Sequence, residues 1–243
     1  MFSFLRRIKG ANRPYCTALV AAAGSSSRMD GVNKLLEPLE GVPVLVRTLT
    51  SLQLAEEVDE IVVAAREEDL VEISRLCHTY GITKCAKVVR GGESRVHSVL
   101  LAALEASPEA SLLAVQDGAR PLVTPELIGH VVSAAARCGA AAPAVAVKDT
   151  VKTVRADGSV AETLERDVLR AVQTPQVFEA SLLKVALQSA LESGAPVTDD
   201  CSAVERLGKV VFLVEGEEEN LKITTPVDLI LAEAILRARE EGR

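Results

Sequence analysis

A chain of 243 residues, 48% of them hydrophobic, is long enough for one large α/β domain with an excursion and can bury a substantial core. Its 27 Lys and Arg against 34 Asp and Glu leave a formal charge of -7, which excludes an overall basic field for nucleic acid or an anionic membrane and makes any phosphate chemistry local. Cys16, Cys77, Cys85, Cys138 and Cys201 are odd in number and contain no C-x-x-C pair, a pattern against a disulfide framework or zinc site and in favour of a reducing cytoplasm.

In chain order, the opening MFSFLRRIKGANRP places its charges after a very short apolar run, the reverse of a secretory signal, and residues 1–14 read as a flexible tail. A single domain is expected from residue 15 to 243. Runs rich in Val and Ile predict strands at 17–22, 60–65, 85–89, 111–116, 142–147 and 209–214, with helical periods between most of them. Thr124-Pro125 predicts a helix start, Gly81 and Gly139 follow helical stretches as left-handed C-terminal residues, and Asp228 stands three residues after Thr225 like the acid of a capping box. Alternating strands and helices predict a mainly parallel sheet with helices on both faces. From Lys148 to Gln173 the pattern alternates apolar and polar residues around Asp157-Gly158, which predicts a β-hairpin arm over about 148–171. No stretch is apolar for long enough to span a bilayer.

In open α/β sheets ligands bind beyond the carboxyl ends of the strands, which directs attention to three loops. The first, AAAGSSSR, carries small residues that let backbone N–H groups approach an anion, with Arg28 and Lys34 close by; the alternative is a plain loop with solvated charges. In the second, Gly91-Gly92-Glu93-Ser94-Arg95 precedes a helical run and by itself reads as a helix cap. The third, AVQDGARP, puts Asp117 where an apolar run stops, suited either to forming a turn or to holding a sugar hydroxyl or a metal with its phosphates. Lys222 follows the acidic run EGEEEN and reads locally as an ion-paired surface lysine. His78, His97 and His130 lack metal-ligand spacing.

The motifs AAAGSSSRM with Lys34, GGESR..SV, DGARP, DTVK, QTPQVF, TDDCSAVE and NLKITTPVDL follow one another in the order found in a single family. From about Ala18 to Leu236 the chain resembles the 2-C-methyl-D-erythritol 4-phosphate cytidylyltransferases of non-mevalonate isoprenoid synthesis. The resemblance implies a Rossmann-like nucleotidyltransferase fold, CTP and a methylerythritol phosphate as substrates, Mg²⁺ held mainly by the CTP phosphates with Asp117 as its protein contact, and a homodimer that exchanges its arms. It implies that Arg28 and Lys34 stabilise the charge on the attacked phosphorus, while Lys222 and Arg166 position the attacking phosphate. It further implies a nucleotide site of Ala22, Ala23, Gly24, Ser25, Lys34, Gly91, Gly92, Glu93, Ser98, Asp117 and Gly118, and a substrate pocket that includes Arg120, Thr150 and Thr198. Gln116 and Glu93 depart from the family's usual His and Asp. A ribitol 5-phosphate cytidylyltransferase shares the small-residue loop, the Asp and TPQ, and a regulatory module without catalysis would share the fold.

Overall fold

The computed structural model describes residues 13–24, 33–194 and 196–242. The expected tail therefore lies almost wholly outside the described residues. Among the described residues twelve strands and seven α-helices follow in chain order: β1 Cys16–Ala22, β2 Pro38–Leu39, β3 Val42–Pro43, α1 Val44–Leu54, β4 Glu60–Ala65, α2 Leu70–Thr79, β5 Cys85–Arg90, α3 Arg95–Glu105, β6 Leu112–Asp117, α4 Pro125–Cys138, β7 Ala140–Ala146, β8 Lys152–Val154, β9 Val160–Thr163, β10 Arg170–Val172, β11 Gln176–Glu179, α5 Ala180–Ser193, α6 Asp200–Glu205, β12 Phe212–Glu215 and α7 Pro226–Glu241.

Eight strands form one sheet in the order β10, β7, β11, β6, β1, β4, β5, with β12 alongside β7. Strand β1 lies parallel to β4 and β6, and β4 parallel to β5, so the carboxyl ends of all four open on one side. The apolar runs of β1, β4 and β6 are buried on both faces, and their alternation divides the core in two. Ala18, Val20, Ile61, Val63 and Ala114 face a cluster with α1, α2, α4 and α7, whereas Leu19, Val62, Ala64, Leu113 and Val115 face one with α3, α5 and α6.

Local chemistry sets the helix ends. The Thr124 side chain accepts from Leu127 N ahead of Pro125, and Gly139 ends α4 at φ 83, a conformation that side chains with a Cβ rarely adopt. Asp228 Oδ2 accepts from the backbone of Thr224 and Thr225, both at 2.7 Å, as its spacing predicts. Two strands differ from their predicted limits by more than one residue: β7 begins at Ala140 rather than at 142, and β12 spans Phe212–Glu215 rather than 209–214.

The arm is shorter than its alternating pattern suggests. β8 and β9 pair as a hairpin whose turn holds Gly158 at φ 84, but β10 is an antiparallel neighbour of β7 in the main sheet. Among the described residues, no helix is long and apolar enough to cross a membrane.

Phe178 in β11 is fully buried opposite Leu113 and Ala140, where the two halves of the sheet join. Phe178→Ala is expected to lower stability by about 3–5 kcal/mol in equilibrium urea unfolding, the combined effect of lost burial and a residual cavity.

Candidate active site

The open strand ends gather three segments that are distant in sequence. The Asp117 carboxylate, at the end of β6, is the centre of the cluster. Lys222 Nζ lies 2.9 Å from Oδ2, Arg120 Nε 3.5 Å from Oδ2 and Arg95 Nη2 3.5 Å from Oδ1. Burial alone would raise the Asp117 carboxyl, but Lys222 and then Arg95 outweigh it and hold the group below its ordinary range. Lys222 is therefore ion-paired, as its local reading suggests, although its partner is buried within the site. Asp117 also contributes to the predicted turn, since its carbonyl accepts from Arg120 N.

The backbone around this cluster is cross-linked by polar side chains. Thr174 Oγ1 accepts from Asp117 N at 3.1 Å, and Asn220 Nδ2 donates to Thr174 O at 3.0 Å. Arg120 Nη1 donates to Asn220 O at 2.6 Å, while Ile223 N donates to Ala119 O at 2.8 Å. Lys34 Nζ reaches across to Ile223 O at 2.8 Å, which brings the first loop's lysine beside the Lys222 segment. Lys34 is thus tied to the residue that follows Lys222, 189 positions further along the chain, while the Lys222 ammonium itself pairs with Asp117.

The glycine-rich loop after β5 adjoins the loop after β1. Ser98 Oγ accepts from Gly92 N at 3.0 Å and donates to Ser94 O at 2.8 Å, and the Ser94 side chain caps α3 by accepting from His97 N. A methyl group at Gly91 would overlap Ala23 and crowd Ser98 Oγ, so glycine is required there by close approach rather than by backbone angle. Ala22 is buried, Gly24 and Glu93 are exposed, and Gly118 is buried against Thr48, whose hydroxyl donates to its carbonyl. Ser25 and Arg28 lie outside the described residues.

Three expected substrate residues stand apart from the cluster within this chain. Thr150 is exposed, Arg166 is exposed with Nη1 donating to Lys148 O, and Thr198 is exposed with its N–H donating to Ser202 Oγ. No ion pair or hydrogen bond joins them to Asp117 among the described residues.

Sequence reasoning assigned no role to Arg95, Thr174, Gln176, Asp200 or Asn220. Each belongs to a motif quoted for the resemblance; for Thr174 and Gln176 the missed signal was chemical, since polar side chains beside a buried apolar strand must find partners, whereas Arg95, Asp200 and Asn220 stand in polar runs that carry no such signal. Gln176 shows this, since its Oε1 accepts from Asp200 N and Cys201 N and its Nε2 donates to Asp199 Oδ2.

The comparisons agree over nearly the whole chain. A family model described as 2-C-methyl-D-erythritol 4-phosphate cytidylyltransferase matches residues 16–238. A Bacillus cytotoxicus protein of that name is 44% identical over 92% of this chain and 98% of its own, and a Geobacillus kaustophilus protein of the same name is 43% identical over 91% and 97%. The crystal structure of 4-diphosphocytidyl-2C-methyl-D-erythritol synthase from Anaerococcus prevotii superposes with a TM-score of 0.83 at 31% identity, covering 92% of this chain and 96% of that one. That of the 2-C-methyl-D-erythritol 4-phosphate cytidylyltransferase from Thermus thermophilus gives 0.74 at 32%, covering 92% and 99%. An α/β nucleotidyltransferase in fold, with a mostly parallel sheet flanked by helices, the chain belongs to the 2-C-methyl-D-erythritol 4-phosphate cytidylyltransferase family.

Proposed function

We propose that this protein transfers CMP from CTP to 2-C-methyl-D-erythritol 4-phosphate and releases pyrophosphate. The observation that carries the reading is Lys222 paired with Asp117 at the end of β6 and Lys34 held on the adjacent Ile223 carbonyl, within a chain that matches the family from residue 16 to 238. A phosphate oxygen of the acceptor attacks the α-phosphorus of CTP; the new P–O bond forms as the bond to the bridging oxygen breaks, and pyrophosphate carries away the electron pair. No nucleophilic side chain is required, because such transfers depend on positioning and on positive charge arranged in advance.

In this reading Arg28 and Lys34 stabilise charge at the attacked phosphorus. Lys222 and Arg166 hold the acceptor phosphate, with Arg120, Thr150 and Thr198 lining its pocket. Ala22, Ala23, Gly24, Ser25, Gly91, Gly92, Glu93, Ser98 and Gly118 receive the nucleotide, and the crowding between Gly91 and Ala23 supports one continuous surface for it. The donor set suits Mg²⁺ carried on the nucleotide phosphates: Asp117 offers a single carboxylate, and no group of three or more potential ligands occurs among the described residues. When bound, the ion supplies charge neutralisation at the phosphates. Five unpaired cysteines support a cytoplasmic enzyme.

The assay that tests this measures pyrophosphate release with CTP and either polyol phosphate. Turnover is expected with methylerythritol phosphate and Mg²⁺; equal or faster turnover with ribitol 5-phosphate would overturn the assignment.

The exposed arm supports a homodimer in which each subunit completes its neighbour's pocket. Val154, Val160 and Val168 are exposed on it, and an isolated two-stranded ribbon is only marginally stable in water. Arg28→Ala and Arg166→Ala homodimers should then each be nearly inactive, while a mixed dimer contains one intact site. Random exchange makes half the dimers mixed, so refolded equal mixtures should recover roughly a quarter of wild-type activity. Mixed dimers that form yet stay inactive would show that Arg166 acts within its own subunit.

A further inference from the structure

Arg95 has no part in the scheme above, yet it stands where three pieces of the site meet. It opens α3 immediately after the Gly91–Ser94 loop, and its guanidinium spans Asp117 Oδ1 at 3.5 Å and Asp200 Oδ2 at 2.8 Å. Asp200 opens α6 two residues beyond Thr198, and its side chain is 0% exposed. Arg95 is its one cationic partner within 4 Å among the described residues. The approach is close but off the hydrogen-bond direction, so neither Asp200 oxygen accepts a well-directed bond.

Such a carboxylate is a costly way to build a helix start. It is not needed to fix the backbone, because Gln176 already accepts from Asp200 N and Cys201 N while Asp199 caps the helix by accepting from Ser202 N. Its closest cation is the Arg95 guanidinium, which opposes but does not outweigh the burial that pushes the Asp200 carboxyl up.

Asp117 shows why a fixed guanidinium matters. Lys222 is its nearest cation, but Lys222 is 39% exposed, and it is the group that the proposed reaction requires at the acceptor phosphate. Arg120 is already committed to Asn220 O. A carboxylate as buried as Asp117 needs a second cation in place when Lys222 turns away.

We propose that Arg95, anchored by Asp200, is a positioning residue that keeps Asp117 and the glycine-rich loop in fixed register while Lys222 engages the acceptor phosphate. The proposal rests on the nucleotide reading of this site. Charge alone predicts something different: the cluster's three cations against two carboxylates leave one net positive charge, and neutralising Asp200 would raise it and tighten binding of an anion.

The test compares Arg95→Met, Asp200→Asn and the double variant in the full chain by Tm, by calorimetric titration with CTP and Mg²⁺, and by turnover. Arg95→Met is expected to lower Tm by leaving the Asp200 charge alone in the interior, and the double variant to regain most of that loss. CTP affinity and kcat should nevertheless each stay about tenfold or more below wild type in both, because position rather than fold has been lost. Asp200→Asn should weaken CTP despite its added net positive charge. Recovery of affinity and kcat together with Tm, or tighter CTP binding by Asp200→Asn, would overturn the proposal. A wild type that binds CTP but does not use methylerythritol phosphate would refute the acceptor assignment alone, and the calorimetric comparison would still decide for or against Arg95. Absence of CTP binding by the wild type would defeat both.

Discussion

The structure at the sheet's open end depends on a single buried carboxylate. Asp117 occupies the end of a central strand, with 6% of its surface exposed, in a position where a charge without partners would be strongly disfavoured. Its neutralisation brings together Arg95 from the β5 side, Arg120 from its own turn and Lys222 from the segment before α7. Each of those cations has its own geometric requirements. Arg120 needs the Asn220 carbonyl, Asn220 needs Thr174, and Thr174 returns to the Asp117 backbone. A bond in such a network contributes little net, about 1 kcal/mol, but leaving a buried partner unpaired costs more, so the loops hold one another in a single arrangement.

The same arrangement explains how a chain with a charge of -7 can receive a triphosphate and a second phosphate. The positive charge is concentrated where the sheet ends and is only partly neutralised. Lys34 and Lys222 approach from opposite ends of the sequence, so positive charge is in place before any ligand arrives. Preorganised charge of this kind suits a reaction whose demand is for electrostatic stabilisation at phosphorus, not for a covalent partner.

The two parts of the structure were not equally legible in the sequence. The central strands and helix ends were, because Ile61, Val62 and Val63 are buried on both faces and because Thr124, Gly139 and Asp228 act through local backbone chemistry. The arm's far limit was not, since Arg170–Val172 alternates in the same way whether it continues a ribbon or joins the main sheet, and only long-range pairing decides. The pairing of Lys222 was legible as a local habit but its partner was not. Asp200 reads as one acid in a polar run, and its complete burial depends on how α6 packs beneath Arg95. The residues proposed to touch ligands come from motif likeness, whereas the polar contacts of Arg95, Thr174 and Asn220 around Asp117 emerge only from the folded chain.

The most direct test of this account is equilibrium urea unfolding of Asp117→Asn beside the wild type, without ligands. If Asp117 is the charge around which the loops assemble, its neutralisation leaves Arg95, Arg120 and Lys222 facing one another, and the variant should lose roughly 3–5 kcal/mol of stability, in the range for breaking a buried ion pair. Stability equal to or above that of the wild type would contradict the account and would mean that apolar packing alone sets the position of these loops.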